Sequence, residues 1–145
     1  GEGLAGVRCP GRVQVVRKRP MVILDVAHNV DSARALVETI RALFRYRRAV
    51  LILGFSSDKD VRGIARELRK LTGRAVLTQA DNPRMMDPMS LKGMLDGIFE
   101  EIHVAGDVLE AYSTALAMSG DEDLICVTGS FYHVGELMGK LASEG

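Results

Sequence analysis

The sequence predicts an α/β fold: a doubly wound, mostly parallel, Rossmann-like sheet of about six strands with helices on both faces. Three observations carry this. Met21-Val22-Ile23-Leu24 and Ala49-Val50-Leu51-Ile52-Leu53 have the continuous apolar character of strands buried on both sides. Val30 to Phe44 places Ala33, Leu36, Val37, Ile40 and Leu43 three and four residues apart, a helix period. The two kinds of segment then alternate to the end of the chain, the pattern of parallel strands joined by right-handed crossovers.

Residues 1–12 are glycine-rich and contain Pro10-Gly11, which marks a linker or entry loop ahead of a folded domain over 13–145. Gly1-x-Gly3-x-x-Gly6 spells a dinucleotide fingerprint but follows no strand and opens no helix, so it is accidental. Val13 to Val16 reads as a short strand. Lys18-Arg19-Pro20 turns it into the strand ending at Asp25, and so short a turn makes that pair antiparallel, the one exception in the sheet. After the helix from Val30 to Phe44, capped by Asn29 or Asp31, the strand Ala49 to Leu53 stops at Gly54. Asp60 to Leu71 is helical, with Gly73 as its C-terminal glycine. A strand from Arg74 to Thr78, a loop from Gln79 to Pro88 and a brief helix from Leu91 to Leu95 come next. Ile98 to Val104 is a strand, Val108 to Met118 a helix, Asp123 to Thr128 the last strand and Phe131 to Leu141 the last helix.

At 145 residues the chain has room for one sizeable core, and 47% apolar with 26% charged residues is the balance of a soluble globular protein. Nineteen basic residues offset nineteen acidic ones, so no net field draws it to nucleic acid or to a membrane. Arg41, Arg45, Arg47 and Arg48 cluster near a helix end, where cations complement the dipole, and lack the aromatic interleaving of a nucleic-acid surface. Cys9 and Cys126 are too few and too isolated for a disulfide framework or a zinc site, and Cys126 reads as an inert core thiol. No apolar stretch is long enough to span a bilayer and no signal-peptide pattern opens the chain, which makes the cytoplasm the default location.

The residues able to carry chemistry fall where predicted strands end, the edge at which open α/β sheets bind ligands. Asp25-Val26-Ala27-His28-Asn29 packs a carboxylate, an imidazole and a carboxamide into one turn. Capping needs only one such side chain, which leaves Asp25 and His28 as ligand candidates. In Gly54-Phe55-Ser56-Ser57-Asp58-Lys59-Asp60, either Asp58 or Asp60 caps the following helix, with ligand contact as the lesser alternative for this loop. Asp81-Asn82-Pro83-Arg84 offers in Arg84 a fork suited to a carboxylate, against the alternative of a merely solvated arginine. Thr128-Gly129-Ser130 combines close backbone approach, a hydroxyl and a helix start, the parts of an anion site, although a plain serine cap would look the same. Phe131 and Tyr132 read as packing residues, and His103 and His133 as structural or surface histidines. Gly135 to Leu141 hints at a Walker A loop but has the wrong glycine spacing, lacks the Ser or Thr and lies within a helix. With no P-loop, no Ser/His/Asp set and no carboxylate cluster, the catalytic apparatus is incomplete.

Taken together, Pro10-Gly11-Arg12, Asp25-Val26-Ala27-His28-Asn29, Ser57-Asp58-Lys59-Asp60, Pro83-Arg84 and Thr128-Gly129-Ser130-Phe131 resemble, in order and over essentially the whole chain, the C-terminal domain of folylpolyglutamate synthase/dihydrofolate synthase in the Mur ligase superfamily. The resemblance implies an ATP-dependent amide ligase. ATP phosphorylates a substrate carboxylate to an acyl phosphate, which the amino group of L-glutamate attacks. It further implies a separate N-terminal domain that carries the P-loop, the magnesium ligands and most of the pterin site for folate or dihydropteroate. This chain would then be an excised closing domain, inactive alone, that completes the ATP and glutamate sites. By the same resemblance Arg12, Asp25 and His28 would bind ATP, and His28, Ser130 and Arg84 the glutamate. The full Asp81-to-Arg84 motif is more typical of the peptide-forming Mur ligases, so a Mur-type peptide ligase is the second reading. An autonomous nucleotide- or phosphate-binding module is the third.

Overall fold

Alternation of side chains along the strands builds two cores, one on each side of a single sheet. The computed structural model describes residues 13–144; the linker assigned to residues 1–12, Cys9 and Arg12 lie outside the described residues. Strands β1 (Gln14–Lys18), β2 (Met21–Leu24), β3 (Ala49–Gly54), β4 (Arg74–Leu77), β5 (Glu101–Val104) and β6 (Leu124–Gly129) lie in the order β1-β2-β6-β3-β4-β5. β1 and β2 pair antiparallel and every other neighbouring pair is parallel. The helices are α1 (Val30–Leu43), α2 (Val61–Leu68), α3 (Pro88–Leu95), α4 (Val108–Ala117) and α5 (Phe131–Glu144).

Ile23, Leu51, Leu53, Leu77 and Cys126 point to one face, where α1, α2 and α3 lay Leu36, Ile40, Ile64, Leu68 and Leu91 against them. Val22, Leu24, Ile52, Val76 and Val127 point to the other, covered by Val108, Ala111 and Ala115 of α4 and Val134 and Leu137 of α5. Each fully buried Leu or Ile contributes about 2 kcal/mol of transfer free energy, which is why the strands read as unbroken apolar runs. Burial and the nearby Asp25 carboxylate push the Cys126 thiol well above its ordinary range, so it is inert as expected.

This division of faces positions the site. The chain leaving β2, β3 and β4 passes to the first face, and the chain leaving β5 and β6 to the second. Because β6 lies between β2 and β3, its outgoing chain parts from both neighbours, and crevices open at the carboxyl ends on either side of it.

Several boundaries differ from the sequence reading: β1 runs Gln14–Lys18 rather than Val13 to Val16, the last helix extends to Glu144 rather than Leu141, and three further shifts follow. Helix α2 ends at Leu68 with Arg69 as its cap, and Leu71 N–H closes a separate turn on the Leu68 carbonyl at 2.9 Å. Gly73 is not its C-terminal glycine, since among the described residues only Gly97 and Gly129 have positive φ. Helix α3 begins earlier, at Pro88, because Asp87 caps it through the Ser90 N–H at 3.1 Å and proline suits a first helical position. β5 begins at Glu101, whose N–H reaches the Gly73 carbonyl.

Asn29 is the cap of α1. Its Oδ1 accepts the Ser32 N–H at 2.7 Å, and the Ser32 hydroxyl accepts the Asn29 N–H at 3.0 Å. Asp31 instead sits exposed in the first turn, 3.3 Å from Arg34. Asn29→Ala is expected to lower stability by about 1 kcal/mol in urea unfolding, the usual cost of losing such a cap; an unchanged midpoint would mean the turn is held from elsewhere.

Candidate functional site

The floor of the site is a glycine pair. Gly54 ends β3 and Gly129 ends β6, directly opposite each other in the parallel ladder. Gly129 has φ +112°, and a Cβ there would lie 2.3 Å from the Gly54 carbonyl oxygen, so only glycine fits. That close approach lets the Ser130 N–H donate to the same carbonyl at 2.8 Å. The Ser130 hydroxyl accepts the Tyr132 N–H at 3.2 Å. It therefore tethers the helix start while lining the cleft above it, and the capping and site readings describe one geometry.

This cleft encloses about 400 Å³ between three strand ends. Ser56, Ser57, Asp58 and Lys59 come from the loop after β3, Arg84 from the loop after β4, and Ser130 and Tyr132 from the start of α5. The first two loops are stitched together: Ser57 N–H donates to the Arg84 carbonyl at 3.2 Å, and Met86 N–H to the carbonyl of the fully buried Phe55 at 2.8 Å. Asn82 Oδ1 accepts the Arg84 N–H at 2.9 Å, and Glu136 of α5 accepts the Asp81 N–H at 2.9 Å. The turn is thus fixed while the Arg84 side chain stays exposed, its Nη1 donating to the Tyr132 hydroxyl at 3.4 Å.

Asp60 caps α2 through the Gly63 N–H at 3.0 Å, which leaves Asp58 and Lys59 to face the cleft. The Ser56 hydroxyl donates to Asp58 at 2.7 Å and holds its carboxyl below the usual range; Lys59 Nζ stands 3.8 Å from the same group. Lys59 is the site residue that sequence reasoning missed. Its signal was its place on the strand-end rim, obscured by the aspartates on either side that served as cap candidates. Two cations, hydroxyls and a helix start suit a ligand carboxylate.

Asp25 and His28 lie at the neighbouring strand end, on the β2 side of β6. Asp25 donates its N–H to the Val127 carbonyl at 3.1 Å and is only 3% exposed, whereas His28 is exposed. The structure thus brings Arg84 and Ser130 into one cleft and sets His28 at the neighbouring strand end, where Asp25 stands with both carboxylate oxygens buried. Tyr132, expected to pack, lines the cleft, where its hydroxyl accepts from Arg84. His103 is a surface residue beside Glu101, while His133 is fully buried. Among the described residues, no three His, Cys, Asp or Glu side chains gather as a metal site, and no helix is long and apolar enough to cross a membrane.

Comparison with known proteins agrees with this fold. The family model described as "Mur ligase, glutamate ligase domain" matches residues 11–131. A dihydrofolate synthase/folylpolyglutamate synthase of Escherichia coli is 31% identical over 137 residues, 94% of this chain and 32% of that protein. A UDP-N-acetylmuramyl-tripeptide synthetase of Lactobacillus acidophilus is 28% identical over 137 residues, 88% of this chain and 26% of that protein. The solved structure of the bifunctional folylpolyglutamate synthase/dihydrofolate synthase from Yersinia pestis, complexed with AMPPNP and a Mn ion, superposes with a TM-score of 0.82 at 30% identity, covering 97% of this chain and 33% of that one. The chain thus spans between a quarter and a third of the length of these three relatives. With the Mur-type sheet, the strand-end cleft and a family match over most of its length, the chain belongs to the Mur ligase, glutamate ligase domain family.

Proposed function

We propose that this chain is the C-terminal, amino-acid-holding domain of a longer ATP-dependent folate:L-glutamate amide ligase, a folylpolyglutamate and/or dihydrofolate synthase. The observation that carries the reading is the cleft that unites Arg84, Lys59 and Ser130 at the β6 switch point. In the reaction, ATP converts the acceptor carboxylate to an acyl phosphate; the glutamate amine then attacks that carbon, phosphate leaves and an amide forms. This chain's part is positioning. Arg84 grips a glutamate carboxylate with its planar fork, Lys59 adds a point charge, and Ser130 with His28 orients the remaining polar groups. Asp25 and His28 form the ATP side of the rim, Asp25 serving the ribose hydroxyls, and by the family resemblance Arg12 serves the phosphates. The P-loop and magnesium ligands belong to an N-terminal domain of the parent chain, so no step here runs through a metal held by the described residues. Closure of the two domains in the cytoplasm assembles the full site.

The test is turnover. The full-length gene product, given ATP, Mg²⁺, L-glutamate and either dihydropteroate or a reduced folate, is expected to form ADP, phosphate and the glutamylated product. The 145-residue chain alone is expected to form none and to bind ATP weakly in calorimetry. Tight ATP binding by this chain alone would favour an autonomous nucleotide module instead. The complete Asp81-Asn82-Pro83-Arg84 motif and the Lactobacillus tripeptide-synthetase match favour a second reading, a Mur-type peptide ligase; turnover with a UDP-N-acetylmuramyl peptide and none with a folate would decide for it.

A further inference from the structure

His133 has a geometry that space-filling does not require. It is fully buried, yet its Nε2 lies 2.7 Å from the Thr128 carbonyl, the last peptide oxygen before Gly129. A carbonyl only accepts, so Nε2 carries the proton, and in the neutral ring Nδ1 is left with a lone pair. A Cβ on Gly54 would lie 3.0 Å from His133 Cγ, and one on Gly129 3.3 Å from Cε1. Those two ring carbons flank Nδ1, so the Nδ1 edge of the imidazole faces the glycine pair. Nδ1 is buried and makes no hydrogen bond among the described residues.

We infer that His133 is a positioning residue of the cleft: its neutral imidazole, wedged beneath Gly54 and Gly129 and donating from Nε2 to the Thr128 carbonyl, fixes the turn that carries Ser130 and Tyr132. The bond orients the Thr128–Gly129 peptide plane, which selects the positive φ of Gly129. That φ in turn directs the Ser130 N–H onto the Gly54 carbonyl and its hydroxyl to the Tyr132 N–H. The side chain acts through backbone and touches no ligand. Its effect on amino-acid binding rests on the cleft reading given under Proposed function; its effect on the turn does not.

Two measurements decide it. In the wild-type chain, ¹⁵N NMR of the His133 ring is expected to show the Nε2–H tautomer, and an Nδ1–H tautomer would overturn the proposal without any variant. His133→Leu is expected to speed amide exchange at Ser130 about tenfold and to raise the amino-acid KM of the full-length ligase about tenfold, with kcat within about threefold of wild type, the scale of a small misplacement. His133→Gln, which keeps an N–H donor at similar reach, is expected to restore both. A folded His133→Leu variant with wild-type exchange at Ser130, or a Gln variant no better than Leu, would overturn it. If Arg84→Ala left the amino-acid KM unchanged, the cleft reading would fall, while the exchange data would still decide the role of His133.

Discussion

Arg84→Ala in the full-length ligase is expected to raise the KM for the amino-acid substrate about a hundredfold and to lower kcat less than about tenfold, because it removes a contact made in ground and transition states alike. A hydrogen-bonded charge pair contributes about 1.5–3 kcal/mol, and its upper part corresponds to this factor. Fold stability is expected to hold. The turn is fixed by the Ser57 N–H donating to the Arg84 carbonyl and the Arg84 N–H donating to the Asn82 side-chain Oδ1, and the guanidinium itself is exposed. Arg84→Lys keeps the charge but not the fork, and an intermediate loss of about tenfold is expected. Steady-state kinetics with the amino acid varied at saturating ATP checks both variants; a wild-type KM in Arg84→Ala would exclude the cleft as the amino-acid site.

The fold was legible because its strands announce themselves twice, by apolar character and by what separates them. β3 and β6 are buried along their whole length, a state that only central strands of a two-sided sheet reach. The ends of α2 were less legible. Gly73 is well placed in sequence for a C-terminal glycine, but tertiary packing ends the helix at Leu68 and uses the following turn to reach β4. Of the site, each segment could be read and the assembly could not. Arg84 and Ser130 are far apart in sequence and meet only because β6 inserts between β2 and β3, a strand order that local periodicity does not encode. Lys59 and His133 were overlooked for opposite reasons. Lys59 stands between two cap candidates, and the role of His133 depends on a glycine pair brought together across the sheet.

Acidification tests that buried histidine in the isolated chain. Burial lowers the His133 pKa from 6.5 to about 4, only partly opposed by its bond to the Thr128 carbonyl. The unfolded chain takes up this proton as pH drops below about 6.5 and the native chain does not, so unfolding binds protons and native stability falls with falling pH. The loss begins near pH 6.5 and levels off below about 4, where the native ring also protonates. Over that whole window a shift of this size corresponds to about 3 kcal/mol. The groups seen against the ring are Gly54, Gly129 and the Thr128 carbonyl, with Met85 beside the same glycine, and none of them titrates. Asp58, Glu67 and Glu101, whose carboxyls are held below their ordinary range, lose their stabilisation only at the acid end of the window. Urea unfolding at about pH 7 and about pH 5 isolates the histidine above that range. His133→Gln is expected to lose the difference between the two pH values, since its side chain carries no proton to exchange. An equal drop in the wild type and in His133→Gln would show that the ring is charged or solvated in the native state, and that the Thr128 carbonyl is held by something other than a neutral imidazole.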